Sequence, residues 1–171
     1  HTFIKPVDEL RVRYHLLDGD HAIYNNDGIR YGDDHNASLE FSGRGKLFNN
    51  ISFYYRPILR YNQDLDDEEE TELELLRGYI KVNLGNVELE IGRDSLWWGP
   101  GHHGSLLMTN NAEPFDMVKV SNSRPIILPW VFRYLGPFKT TWFLTELEKD
   151  REVPEPYLTG LLHSAPPWRT G

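Results

Sequence analysis

Two carboxylates, Asp94 and Glu113, flank an aromatic loop in this chain. A carboxylate pair placed across a sugar is what glycoside hydrolysis needs, one as acid and the other as nucleophile or base. Nothing in the surrounding sequence supplies the apolar pocket that keeps a general acid protonated, so loop hydrogen bonding is the plainer account of both. The pair His102-His103 could ligate a metal. However, adjacent side chains on an extended chain point apart, and no other His or Cys stands nearby at ligand spacing. The run Asp64-Leu65-Asp66-Asp67-Glu68-Glu69-Glu70 could gather Ca2+ through carboxylate oxygens. It lacks the spaced ligands and central glycine of an EF-hand loop and reads as a solvated, self-repelling segment. Glycine-rich phosphate loops and the GxSxG nucleophile elbow are missing, and so is cysteine. The expectation is a protein without enzyme activity, resident metal or cofactor.

Trp97 and Trp98 are the best candidates for ligand contact, because aromatic faces stack on the C–H faces of pyranose rings. Asn110 and Asn111 could bond sugar hydroxyls, and His102 and His103 share the same segment. The alternative is a structural loop, with the tryptophans packed beneath it and the asparagines capping turns.

The elements that must position this loop are hairpins. In Gly78 to Arg93, Ile80, Val82, Leu84, Val87, Leu89 and Ile91 alternate with Lys81, Asn83, Glu88 and Glu90 around a tight Gly85-Asn86 turn. Each arm has about the ten residues that a tilted strand needs to cross a bilayer. A soluble sheet with one face on a core has the same period, so this hairpin alone decides nothing. A second hairpin precedes it. Leu39, Phe41 and Leu47 alternate with Glu40, Ser42, Arg44 and Lys46, and a turn follows at Asn49-Asn50. On the return arm Ile51, Phe53, Tyr55, Pro57 and Leu59 share one face, while Ser52, Tyr54, Arg56 and Arg60 share the other, with Ile58 the apolar exception on the polar side. Pro57 would break the ladder of a central soluble strand. Gly43 and Gly45 leave gaps on the apolar face where a soluble core wants volume, as glycines do in curved sheets.

Further strands are expected at Leu10 to Leu17, Phe115 to Val120, Ile126 to Leu135 and Phe138 to Leu147, roughly eight with the four hairpin arms, with a tight Gly136-Pro137 link between the last two, and Leu158 to His163 begins another. Turns are short at one end, and polar loops at Asn62 to Thr71 and Leu96 to Pro114 are long at the other. Outer-membrane barrels share that asymmetry, short turns facing the periplasm. The fold expected is all-β, an antiparallel transmembrane β-barrel. Residues 1–36 form an N-terminal irregular segment with the first strand or strands, and 37–171 form barrel hairpins. Because the last strand begins only just before the chain stops, the sequence reads as part of a larger barrel.

Composition agrees. The chain has 171 residues, 39% hydrophobic and 13% aromatic, which excludes a disordered polymer. Mean hydropathy is −0.54, and barrels read as hydrophilic because half of each strand is polar. A net charge of −8 with scattered Lys and Arg argues against nucleic acid as a partner. On the lumen side, Arg44, Lys46, Arg56, Arg60, Arg77, Lys81 and Arg93 outnumber Glu40, Glu88 and Glu90. Such a wall would attract an anionic polysaccharide, while a static lattice of salt bridges is the duller and favoured account.

Three linked pieces resemble a known family. They are Trp97-Trp98-Gly99-Pro100-Gly101, then Ser105-Leu106-Leu107-Met108-Thr109-Asn110-Asn111-Ala112 with Pro114, then Leu135-Gly136-Pro137-Phe138 with Asp150-Arg151 and Val153-Pro154. In order and spacing this set resembles the Wzi-like capsule assembly proteins of Gram-negative outer membranes. His102-His103 and the acidic run depart from the pattern, and the first 35 residues match nothing in it. The resemblance implies a barrel of about 18 strands, of which this chain would be under half. It also implies a glycan-binding role in holding capsular or extracellular polysaccharide at the cell surface. The partners implied are that polysaccharide, outer-membrane lipid and other components of surface-polysaccharide export. A passive diffusion porin and a soluble carbohydrate-binding or glycosidase β-sandwich are the rival readings.

Overall fold

The computed structural model describes residues 2–18, 27–29, 31, 34–63, 69–96, 113–146 and 157–164. Among them the chain is all-β, a nine-stranded antiparallel sheet in which sequence neighbours pair except that β6 pairs with β8, and β7 and β9 also pair with β8. The strands are β1 (Phe3–Leu17), β2 (Asp34–Leu47), β3 (Ile51–Gln63), β4 (Glu69–Leu84), β5 (Val87–Asp94), β6 (Phe115–Asn122), β7 (Ile126–Ile127), β8 (Pro137–Glu146) and β9 (Tyr157–Ser164). No helix among the described residues is long and apolar enough to cross a membrane, which says nothing about crossing with strands.

The two hairpins read from the sequence are present, with Leu47 opposite Ile51 and Leu84 opposite Val87. The first turn takes in Phe48 as well as the two asparagines, with Phe48 and Asn49 both left-handed. Three expectations are corrected. β1 starts at Phe3 rather than Leu10. The Asn62 to Thr71 loop is shortened from both sides, since β3 runs to Gln63 and β4 begins at Glu69. Ile126 to Leu135 is not a strand: only Ile126 and Ile127 pair, with Phe138 and Pro137, and a 3-10 helix follows over Trp130–Leu135. Pro125 and Pro129 interrupt the donors a ladder needs, and Gly136, at φ 81°, ends the helix and turns the chain into β8.

Burial is distributed the opposite way from a soluble sheet. The apolar face is open, with Val12 74% and Leu73 78% exposed and Leu10, Leu39, Phe41, Ile80, Ile91 and Trp142 exposed beside them. The polar face is buried, with Glu40 at 1% and Glu90 at 0%. Ile58, the apolar exception on that face, is fully buried against Leu76 and Ile29. A bulge explains how Leu76 reaches it. Arg56 pairs with Arg77 but Pro57 pairs with Leu75, so Leu76 is the extra residue, placed where Pro57 has no N–H to give.

The glycines of β2 serve the aromatic residues of β3. A Cβ at Gly43 would overlap the Tyr55 ring, and one at Gly45 would overlap Phe53. The Phe53 and Tyr55 rings stack at 6.4 Å, Phe41 meets Tyr55 edge-on, and the Tyr55 hydroxyl donates to the carbonyl of Pro6 at 2.6 Å. The first testable consequence concerns Gly45→Ala. It is expected to cost about 1–3 kcal/mol of unfolding free energy by overpacking, measured by urea titration in lipid vesicles. In a Phe53→Ala background most of that penalty should vanish, because the overlapping ring is gone; equal penalties in both backgrounds would refute the ring as the cause.

Candidate functional site

Ion pairs organise the buried face. Glu40 on β2 forms an ion pair with Arg13 on β1 at 2.8 Å and accepts from Arg56 on β3, whose Nε lies 2.9 Å away. Arg56 also reaches Asp27 at 3.2 Å, Asp27 binds Arg77 on β4, and Arg77 lies 3.8 Å from Asp94 on β5. Three arginines and three carboxylates thus alternate across five strands. Farther along, Arg60 bonds Glu72 and Glu74, both at 2.9 Å, and Arg93 bonds Glu74 at 3.1 Å. Glu90 is held between Lys119 at 2.7 Å and Lys81 at 3.0 Å, with Lys81 also 4.0 Å from Glu88 and over the Tyr79 ring. At the β1 edge Arg44 meets Asp8 at 2.9 Å.

The salt-bridge lattice favoured from the sequence is present, and it offsets the excess of base counted there. Asp8, Asp27, Glu72, Glu74 and Asp94 supply the negative charge that a count over two hairpins omitted. Arg93 takes part although strict alternation puts it on the face of Ile91; Gly92, at φ 133° with no room for a Cβ against the Gly78 carbonyl, interrupts the alternation just before it.

Asp27 is the residue that sequence reasoning missed. It lies in the sequence between β1 and β2, and its described neighbours meet the buried face: Asp27 enters the arginines, Ile29 packs on Ile58 and Leu76, and Tyr31 lies against them. A left-handed Asp-Gly pair, Asp27 at φ 54° and Gly28 at φ 76°, makes the turn. Asp-Gly in a loop and an unexplained Ile58 were the available signals; only the folded chain connects them.

The aromatic loop of interest joins β5 to β6. Trp97, Trp98, His102, His103, Asn110 and Asn111 lie outside the described residues, as do Asp64 to Glu68. The feet of the loop are described: Leu96 is buried, and Glu113 is exposed. Leu96 is packed with Met117 and Phe143 against Phe115 and Leu158, and Glu113 lies against Gly28, leaving no space there for a side chain. Beside Leu96 is an open hollow of about 260 Å3 lined by Glu88, Ser95, Lys119, Ser121, Lys139 and Thr141, a set of hydroxyls and charges suited to a polar ligand. Asp94 is engaged by Arg77 and by the backbone N–H of Ser95 at 2.9 Å, so the surroundings of this member of the carboxylate pair are polar and charged rather than apolar.

An antiparallel meander that exposes its apolar face and pairs its charges on the buried one has the form of a β-barrel wall, here an open part of one. The family described as "Capsule assembly protein Wzi" matches residues 11–170, and the chain belongs to that family. Over 85 residues, 48% of this chain, it is 28% identical to an uncharacterised 55.8 kDa protein in the cps region of Klebsiella pneumoniae. The match spans 16% of that relative's length. No solved structure gives a significant match.

Removing a carboxylate from the lattice leaves buried arginines uncompensated. Glu40→Ala is expected to cost about 3–5 kcal/mol in urea unfolding from vesicles, since Arg13 and Arg56 then lose a shared partner. Glu9→Gln, which breaks the exposed pair with Arg11, should cost less than about 1 kcal/mol. Equal effects at the two positions would rule out burial as the source of the difference.

Proposed function

We propose that this chain is part of an outer-membrane β-barrel that binds capsular polysaccharide and anchors or organises it at the cell surface, without catalysing a reaction. The observation that carries the barrel is the inverted burial: leucines, valines and aromatic residues open to the surroundings, with arginine-carboxylate pairs behind them. In water that face would drive aggregation, whereas a bilayer solvates it. The capsule is supported by membership of the family and by the genomic setting in the relative's description.

The glycan site in this reading is the β5–β6 loop, with Trp97 and Trp98 as stacking faces, Asn110, Asn111, His102 and His103 as hydrogen-bonding groups, and the hollow beside Leu96 at its foot. Rotational freedom is low for a ring-stacking tryptophan, which makes it an economical sugar contact. The inward-folded Asp27–Ile29 turn and the Phe143 cluster weigh against an unobstructed diffusion porin, because both occupy the face that such a pore needs open. An exposed apolar face on every long strand weighs against a soluble sandwich.

The test has two parts. The full-length protein is expected in the outer-membrane fraction, released only by detergent, with heat-modifiable gel mobility; release into buffer alone would sink the barrel. Replacing Trp97 and Trp98 together by alanine should then weaken binding to purified capsular glycan about tenfold or more, equivalent to roughly 1.4 kcal/mol, while mobility on gels stays heat-modifiable. Unchanged affinity in such a folded variant would remove the tryptophans from the site.

A further inference from the structure

The rim that carries the short turns is tied together by asparagines. Asn83 N–H donates to the Asn50 carbonyl at 2.7 Å, Ser123 N–H to that of Asn86 at 2.9 Å, and the Asn86 side chain both donates to the Arg124 carbonyl at 3.0 Å and accepts from Arg124 N–H at 2.8 Å. Asn122 bridges to β8, donating to the Phe138 carbonyl at 3.0 Å and accepting from Thr140 N–H at 2.6 Å. From this fixed base the chain makes the excursion through the 3-10 helix.

What the excursion presents is apolar and aromatic. Trp130 is 86% exposed, and Val131, Phe132 and Tyr134 are exposed with it. Trp130 holds φ at 66°, a left-handed backbone that a bulky residue adopts only when the surrounding structure enforces it. That conformation sets a large ring outward from the sheet instead of folding it in. The patch is continuous with the open apolar face: Ile126 pairs with Phe138 at the foot of β8, on the face that carries Trp142 and Leu144 further up the same strand. The polar fittings are those of a membrane interface. An indole N–H, a phenol and the guanidinium of Arg133, which lies 5.8 Å from the Tyr134 ring, stand on one short segment, with Arg124 at its root.

We propose that Trp130–Tyr134 is an interfacial foot, its rings seated among the headgroups of the phospholipid leaflet on the short-turn side of the sheet, with Arg133 directed to lipid phosphate. Rings that are amphipathic belong at that depth, and short turns face the periplasmic, phospholipid leaflet of an outer membrane. The inference rests on the proposed reading that the apolar face meets a bilayer.

The experiment uses the full-length protein in phosphatidylethanolamine/phosphatidylglycerol vesicles whose acyl chains are brominated either near the carbonyl end or near the methyl end. Two single-tryptophan proteins are compared, one retaining Trp130 and one retaining Trp142, with the remaining tryptophans replaced by phenylalanine. Trp130 emission is expected to be lost to the shallow bromines and largely spared by the deep ones, while Trp142 is quenched by the deep ones. Quenching of Trp130 by aqueous iodide alone would place the foot in water and overturn the proposal. Protection of Trp130 from both quenchers would place protein over it and overturn the proposal equally. Absence of lipid quenching at Trp142 would remove the bilayer reading itself, a failure distinct from that of the foot. If the multiply substituted proteins do not fold, the difference in quenching between the parent and Trp130→Phe gives the same depth profile.

Discussion

Two carboxylates with almost no solvent contact, Glu40 and Glu90, constrain everything else in this sheet. A charge removed from water must be paired and hydrogen-bonded or it costs several kcal/mol. Each is therefore held by two cations from neighbouring strands, Arg13 and Arg56 for Glu40, Lys81 and Lys119 for Glu90. These pairs fix the register: a one-residue slip would carry every charge to the apolar side and every leucine to the buried one. They also explain why the turn at Asp27 meets the buried face. Arg56 and Arg77 sit on adjacent strands, and the carboxylate they share comes from Asp27, which draws Ile29 with it onto Ile58 and Leu76.

The opposite face obeys a different rule. Among the described residues no layer of protein packs over it, and its side chains find contacts within the sheet, across strands. Phe41, Phe53 and Tyr55 therefore lie against one another and over Gly43 and Gly45, and the one buried-type polar group among them, the Tyr55 hydroxyl, is satisfied by Pro6 at a bulge of β1. Bulges on both faces occur beside prolines, where the ladder already lacks a donor.

Leu96 roots one end of the β5–β6 loop in the cluster of Met117 and Phe143, and Glu113 sets the other end against Gly28 of the Asp27 turn. A polymer held by such a loop would meet hydroxyls and paired charges in the adjoining hollow.

Alternation with a period of two was enough to read both hairpins, the strand that follows Pro114 and the strand that follows Pro137, because a half-apolar strand writes its faces into neighbouring positions. The WGPG and following motifs were enough for the family. What could not be read from the chain has a common physical cause, contact between residues distant in sequence. Asp27 is one of many acidic loop residues until Arg56 and Arg77 are adjacent in space. Ile58 is an anomaly until a bulge turns Leu76 toward it. Ile126 to Leu135 is apolar enough to pass for a strand, but only Ile126 and Ile127 pair, with β8, before Pro129 removes a donor and the 3-10 helix follows. Local pattern determined the hairpin strands and the faces of most of their side chains; the tertiary structure decided which charges meet and where a bulge or a glycine shifts a face, because a salt bridge depends on distances that no spacing along the chain encodes.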